Sequence, residues 1–320
     1  MTRHPETPTP LPREPGRPLA VVAVTYNSAD TLAGLLDSLA DGLAGVEHTE
    51  VVIADNASAD SSVAIALEHP VGARVVQLGW NGGYAAGING ALATIAPLAD
   101  VLIVNPDIRL LPGAAALLVA RLRDARIGIT VPHVLHEDGT MVHSLRREPS
   151  LQTAWADALL GSKLGAGLDW GECVSNSARY EVPGLFDWAS GAVLAVSGEA
   201  RASIGAWDES FFLYSEEVDF QRRSRLAGFA IAYVPEAKVI HIGGDYNRNA
   251  GLYSILTANR IRDYARHHGR FSTGLFRTAV LVGEVVRGLG GSPVHRAGVL
   301  AALRRPAERQ LTPAQKTVRT

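Results

Sequence analysis

The sequence predicts an α/β fold, a mostly parallel sheet flanked by helices and followed by a C-terminal helical extension. Three observations predict it. Short β-branched runs alternate with longer helix-patterned stretches from Leu19 to about Leu135, the spacing of βαβ units. Those runs are nearly continuous in apolar residues, as strands covered on both faces must be. Each run also closes on a polar turn: Thr25-Tyr26-Asn27, Asp55-Asn56-Ala57-Ser58, Asn81-Gly82-Gly83-Tyr84 and Asn105-Pro106-Asp107. In an open parallel sheet the strand carboxyl ends share one edge, and ligands bind in the crevice there. The four turns are therefore expected to converge on one site.

The elements follow in order. Leu19 to Thr25 reads as a strand and Asp30 to Ala40 as a helix, with Leu32, Leu35, Leu36 and Leu39 on one face. Strand Glu50 to Ala54 precedes helix Ala59 to Glu68, and strand Arg74 to Leu78 precedes a glycine-rich turn and a helix reaching about Ile95. Strand Val101 to Val104 is followed by helix Pro112 to Arg123, with proline near its first turn. Ile127 to Leu135 and Met141 to Leu145, joined across Asp138-Gly139, read as a hairpin or edge pair. Beyond them a helix is expected at Leu151 to Leu160 and a strand at Ala192 to Val196. Glu216 to Ala227 reads as an amphipathic helix ended by Gly228. Strands follow at Phe229 to Val234 and Lys238 to Ile242, and the chain reads helical after Gly251.

Composition bounds the class. Of 320 residues, 47% are hydrophobic and 19% charged, enough apolar mass for a substantial core and for one large α/β unit with additions. The net charge of −2 conceals an asymmetry: from Arg260 onward there are 12 Lys and Arg against 3 Asp and Glu. A basic C-terminal segment on an acidic body predicts an anionic neighbour, either nucleic acid or phospholipid. No aromatic-interleaved platform is present, so nucleic acid is not expected. The single cysteine, Cys173, excludes an intrachain disulfide and fits a reducing compartment. Residues 1–18 hold six prolines and no apolar core of a signal peptide; they read as a disordered lead-in. No window approaches the ~18 apolar residues of a membrane span. The nearest, Leu275 to Leu289, is broken by Arg277, Glu284 and Arg287. That helix and its basic neighbours are expected either to lie on a membrane face or to pack back on the domain. The expected location is cytoplasmic, with peripheral contact at the inner face of the cell membrane as one option.

The order of motifs carries the functional reading. VTYN (Val24–Asn27), DNASAD (Asp55–Asp60), NGGYAAGIN (Asn81–Asn89), NPD (Asn105–Asp107), WASGAVLAV (Trp188–Val196), FFLYSEEVDF (Phe211–Phe220) and VIHIGG (Val239–Gly244) together resemble the family 2 glycosyltransferases. Their fold is the GT-A nucleotide-diphospho-sugar transferase fold, and they invert configuration. The nearest branch resembles the bacterial rhamnosyltransferase-type enzymes of cell-wall and surface polysaccharide synthesis. The resemblance covers roughly Leu19 to Gly269. It implies a GT-A domain at 19–269, with a nucleotide-binding half at 19–135 and an acceptor half at 136–269, and a basic helical extension at 270–320.

The resemblance also implies roles. Asp107 would hold a divalent Mg2+ or Mn2+ ion that offsets the charge of the departing nucleoside diphosphate, because hard cations prefer carboxylate oxygen. The family usually has Asp-x-Asp here; Asn105 stands in the first place. An Asn-Pro-Asp turn would use Asp107 equally well as a backbone cap. Asp55 would accept a hydrogen bond from a pyrimidine base, with Thr25, Tyr26 and Asn27 along base and ribose; an Asx turn is the competing role. Asn81, Gly82 and Gly83 would approach the donor through backbone, or Asn81 would cap the next helix.

Glu216, Glu217 and Asp219 stand where the family has Glu-Asp-x-Asp, whose second acid takes the acceptor's proton. Glu217 is thus the expected base on a longer side chain, Glu216 a sugar contact, and Asp219 either a sugar contact or a helix-dipole residue. His241 would complete the metal or diphosphate site, or is simply a polar strand end. Trp188, Ser190 and Gly191 would wall the acceptor and donor sugar; Trp188 suits the core as well. Arg248 and Arg260 are candidates for acceptor phosphates.

The expected activity is metal-dependent hexosyl transfer, most plausibly of L-rhamnose from dTDP-rhamnose to a glycan or polyprenyl-diphosphate-linked acceptor. A galactofuranosyl or other UDP-sugar transferase is the alternative within the fold, and a noncatalytic carbohydrate-binding protein the alternative outside it. A sugar nucleotidyltransferase would carry a Gly-rich, Lys- and Arg-bearing loop on its first strand, which Thr25-Tyr26-Asn27 is not. No Gln-x-x-Arg-Trp signature of processive polymerases occurs, so one sugar per encounter is expected.

Overall fold

The computed structural model describes residues 16–161, 170–243 and 249–304. Most of the expected lead-in, Gly244, Arg248 and the chain beyond Arg304 lie outside the described residues. The strands, in chain order, are β1 (Leu19–Thr25), β2 (Thr49–Asp55), β3 (Arg74–Gln77), β4 (Asp100–Val104), β5 (Ile108–Leu110), β6 (Ile127–Leu135), β7 (Leu145–Arg146), β8 (Gly184–Phe186), β9 (Trp188–Ala189), β10 (Val193–Val196) and β11 (Ala230–His241). The helices are α1 (Ala29–Gly42), α2 (Ser62–Glu68), α3 (Tyr84–Leu92), α4 (Ala114–Leu122), α5 (Leu151–Leu159), α6 (Gly198–Ile204), α7 (Glu216–Leu226), α8 (Ala250–His267), α9 (Arg270–Gly288) and α10 (Pro293–Leu303).

The main sheet runs β3-β2-β1-β4-β10-β6-β11-β5, with β8 also paired to β11. Strands β3, β2, β1 and β4 are mutually parallel, as are β6 and β11; β10 enters antiparallel between β4 and β6. Both faces are covered. On one, Leu19, Val21 and Ala23 meet Leu32, Leu35, Leu36 and Leu39 of α1 and Leu118 and Leu122 of α4. On the other, Ala20, Val22 and Val24 meet Ala85 and Ile88 of α3 with Trp207 and Phe220. Each fully buried leucine contributes about 1.5–3 kcal/mol, which is why the 3–4 leucine spacing fixes α1 against the sheet. A third core joins α5, α8, α9 and α10 through Ala154, Ile261, Tyr264, Phe276, Ala279, Val280 and Ala302. Among the described residues, no helix is long and apolar enough to cross a membrane.

Three expected elements differ. The 127–145 hairpin does not form as an edge pair. β6 lies inside the sheet with β10 on one side and β11 on the other, so the return arm finds a partner only at the tip. It makes one bridge, Leu135 to Met141, and then leaves to pair as β7 with β9. The two strands expected at 229–234 and 238–242 are one strand, β11, with a register shift between Val234 and Lys238. Pro235 stands there; without an N–H it cannot continue the ladder, and a bulge absorbs it. Strand β5 was not expected. Its three residues are too few to show periodicity, yet they carry the chain from Asp107 back along β11.

Candidate active site

A cleft of about 430 Å³ opens where the turn after β4, the approach to β10, the end of β11 and the start of α7 come together, with α8 along one side. Asn105, Asp107, Trp188, Ser190, Gly191, Glu216, Glu217 and His241 all line it. Thr25, Tyr26, Asn27, Asp55, Asn81, Gly82, Gly83 and Asp219 do not.

Asp107 is placed by two strands. The Asn105 amide donates to the Ala192 carbonyl at 2.9 Å as β4 ends, and the chain re-enters the sheet as β5, pairing Ile108 with His241. This sets Asp107 Oδ2 3.1 Å from His241 Nε2. Asp107 Oδ1 is buried with no hydrogen-bond partner. Gly243 must be glycine for this approach, because a Cβ there would fall 1.8 Å from Asp107 Oδ2. A buried carboxylate oxygen without a partner costs about 1–3 kcal/mol or more unless something else binds it. Carboxylate oxygen beside imidazole nitrogen suits a cation of the Mg2+ or Mn2+ type, so the residues present fit the expected metal.

The start of α7 lines the same cleft. Glu216 is 2% exposed, and its Oε2 also lacks a partner. Burial, and then the neighbouring Glu217 charge, hold its carboxyl well above the ordinary range. Glu217 is half-buried at the cleft wall, and burial pushes it up to about 7. Tyr84 projects into the same space, its hydroxyl donating to the Gly191 carbonyl at 3.3 Å. Burial first, then the charges of Glu216, Glu217 and Asp107, keep that phenol protonated. One phenol therefore feels all three carboxylates.

The turn before Glu216 is strained. Phe212, Tyr214 and Ser215 all have positive φ, at 68°, 66° and 73°, and none is glycine. Such residues cost about 1–3 kcal/mol each and persist only where the surroundings impose them. Here Asn259 of α8 imposes them: its amide nitrogen lies 2.8 Å from the Phe211 and Leu213 carbonyls and 3.2 Å from that of Tyr214. The Tyr84 amide donates to the Phe212 carbonyl at 2.8 Å. Gly83, at φ +88°, makes room, since a Cβ there would fall 2.0 Å from that carbonyl. Gln221, one turn further along α7, clamps the other wall. It accepts from the Ala189 amide at 2.9 Å and donates to the Ala189 carbonyl at 2.7 Å. Neither Asn259 nor Gln221 was legible in sequence, because a side chain bonded to distant backbone leaves no periodic signal.

The other expected residues make the following contacts. Thr25 Oγ1 donates to Asp55 Oδ1 at 3.1 Å, and Asp55 Oδ2 accepts from the Ser58 amide at 3.0 Å. Asn27 accepts from the Ala59 amide, and Ser58 Oγ accepts from the Asn27 amide. Asn81 accepts from the Gly83 amide at 3.0 Å. Tyr26 stands 52% exposed beside them. Trp188 is buried, its indole donating to the Arg147 carbonyl at 2.8 Å.

Asp219 accepts from Arg223 at 2.8 Å and lies near Asp263 and His267. Asp263 is held bidentate by Arg222. With both carboxylates already on guanidinium groups, that cluster is an ion-pair network rather than a second metal site. Arg260 reaches the cleft, but Asp157 and Glu172 already hold it, at 3.2 and 2.7 Å.

Comparison with known proteins gives the family. Residues 20–164 match the profile described as "Glycosyl transferase family 2". The chain is 32% identical over 234 residues to an N-acetylglucosaminyl-diphospho-decaprenol L-rhamnosyltransferase of Mycobacterium tuberculosis, covering 70% of this chain and 75% of that protein. It is 23% identical over 245 residues to the rhamnosyltransferase WbbL of Escherichia coli, covering 72% and 85%. Among solved structures, GalNAc-T7 with UDP, GalNAc and Mn2+ superposes with a TM-score of 0.54 at 16% identity, over 77% of this chain and 48% of that one, a likeness of fold. The chain belongs to the family 2 glycosyltransferases, on their rhamnosyltransferase-like branch.

Proposed function

We propose that the chain transfers L-rhamnose from dTDP-rhamnose to a polyprenyl-diphosphate-linked sugar at the cytoplasmic membrane face, in cell-wall or surface polysaccharide synthesis. The observation that carries this reading is the single cleft with Asp107 and His241 on one wall and Glu217 on the other. The relatives' names support the sugar and the acceptor.

In this reading the nucleotide lies over the ends of β1, β2 and β3, with the exposed Tyr26 ring against the base and Asp55 behind it. Asp107 and His241 would hold the Mg2+ or Mn2+ ion. Bound there, the ion supplies charge stabilisation to the leaving diphosphate. The acceptor hydroxyl enters from the α7 side. Glu217 takes its proton as the oxygen attacks the anomeric carbon, and configuration inverts in one displacement. A carboxylate with pKa near 7 is a stronger base than an ordinary glutamate and is about half ionised at neutral pH. Burial raises the Glu216 carboxyl above the ordinary range, which favours its proton-bearing form, the form that can donate a hydrogen bond to a sugar hydroxyl.

The test is a panel of nucleotide sugars incubated with the protein and Mg2+ or Mn2+, scoring nucleotide release with and without a polyprenyl-diphosphate-linked acceptor. Release from dTDP-rhamnose that needs acceptor and stops with chelator is expected. Release from UDP sugars alone would overturn the donor assignment, and turnover unaffected by chelator would overturn the metal.

A further inference from the structure

We propose that the outward faces of α9 and α10 form a docking surface for an anionic phospholipid bilayer. A helix on the surface of a water-soluble domain normally buries one stripe and turns polar residues outward. Helix α1 does so: Leu32, Leu35, Leu36 and Leu39 point inward, and its exposed side carries Asp30, Asp37 and Asp41. Helix α9 does not. Phe276, Ala279, Val280 and Gly283 are buried, which occupies one side. On the other, Phe271 is 82% exposed, and Leu275, Val285 and Val286 follow it at helical spacing to Leu289, 81% exposed, just past the helix end. Helix α10 adds exposed Leu300 and Leu303. The helix is apolar on two sides and, among the described residues, has a protein partner on only one.

Charge selects the occupant. Between residues 270 and 304 the only carboxylate is Glu284. It is buried, accepting from Tyr253 at 3.0 Å and Arg287 at 2.6 Å, with His295 2.9 Å from its other oxygen. The same segment carries Arg270, Arg277, Arg296 and Arg304 on or beside the outward faces. An apolar stripe flanked by cations, with no exposed acid, suits a surface of acyl chains beneath phosphate headgroups. A second copy of the chain would bring the same cations against themselves. The surface stands apart from the transfer site. It rests on the proposed acceptor only in that a lipid-linked substrate would place the protein beside a membrane.

The experiment uses the full chain, floated with vesicles of phosphatidylcholine alone or of phosphatidylcholine with phosphatidylglycerol. Binding to the anionic vesicles that weakens as salt rises is expected, with little binding to the neutral ones. The double variant Phe271→Asp, Leu289→Asp changes two solvent-facing side chains. It should lower anionic-vesicle partitioning by about tenfold or more while leaving the thermal midpoint and donor-dependent nucleotide release as in the wild type. Wild-type protein that floats with neither vesicle overturns the proposal, as does a double variant that binds as tightly as wild type. A concentration-dependent dimer abolished by the same variant, without vesicle binding, overturns it in favour of self-association. Vesicle binding in a protein with no transferase activity would sink the proposed function and leave the surface standing.

Discussion

Two polar regions lie at strand ends in this molecule, and they differ in what their polar atoms are doing. Where β1 and β2 end, Thr25, Asn27, Asp55 and Ser58 bond to one another and to each other's backbone. In the cleft where β4, β11 and α7 meet, Asp107 Oδ1 and Glu216 Oε2 are buried with no partner, and the approach to Glu216 is held in left-handed backbone. The first region is mostly satisfied from within, although Asn56 Oδ1 is buried there without a partner and Asn27 and Ala57 also have positive φ. In the second the partnerless atoms are carboxylate oxygens, which carry charge as well as lone pairs. Residue type alone would not separate them, since both are rich in Asp and Asn.

The sharpest way to break the contrast is to neutralise the base. Glu217→Gln should lower the transfer rate about 10²- to 10⁴-fold, the range of a lost general base, while donor affinity stays within a fewfold; full activity would remove Glu217 from the mechanism. Its titration gives a second readout. The carboxyl must be ionised to act, so kcat/KM should rise with pH along a limb centred near 7. Burial raises the folded pKa above the ordinary 4.5, so the folded state holds the proton longer than the unfolded chain. The associated stability is present below about 4.5 and is lost as pH rises to about 7. Glu216, Asp263 and Arg146 share this environment, so the comparison is wild type against Glu217→Gln in denaturant melts across that window. A wild-type curve that does not fall relative to the variant would contradict the burial account.

The opposite wall should respond next. Asp107→Asn keeps the shape and halves the oxygen ligands. A loss of about 10²-fold in kcat/KM is expected, the scale of one lost charge-stabilising contact in a transition state. Nucleotide affinity measured by calorimetry should lose its dependence on added Mn2+. Metal-dependent binding equal to wild type would move the ligand role elsewhere. Asn259→Ala touches neither reactant. It frees three carbonyls of the strained turn, so stability should fall by about 1–3 kcal/mol. If the turn aims Glu216 and Glu217, kcat should fall with little change in donor KM. Asn259→Asp, with no N–H to give, should be no better. A melting loss with kcat intact would make Asn259 structural only.

Sequence carried the fold through periodicity, which sets Asp107, Glu217 and His241 at the ends of apolar runs or the start of a helix; their expected roles came from the resemblance of the motifs to family 2 glycosyltransferases. Sequence did not reveal Asn259, Gln221 or the Tyr84 hydroxyl, which act through backbone carbonyls and amides remote in the chain. The topology also hid something. β10 enters antiparallel between β4 and β6, which brings Ser190 and Gly191 to the cleft on one side of β4, while β1 runs parallel to β4 on the other. Alternating hydrophobicity cannot state strand order, so the contribution of β10 to the cleft was not foreseen from its pattern.

The smallest effect tests the first region. Ser58 Oγ accepts from the Asn27 amide at 2.9 Å, and the Ser58 amide donates to Asp55. Ser58→Ala removes only the first bond and leaves Asp55 its partner. If the bonds there serve the fold, stability should drop by about 0.5–1.5 kcal/mol, the net value of one hydrogen bond, with kcat/KM for the donor unchanged. The exposed Tyr26 offers the complementary variant: Tyr26→Ala has no buried bond to lose, so it should leave the melting point alone and raise donor KM several-fold if the base stacks there. A Ser58→Ala protein that melts normally but binds donor poorly would show that the apparently finished turn is itself part of the nucleotide site, held in a ligand-ready shape by bonds that merely look self-contained.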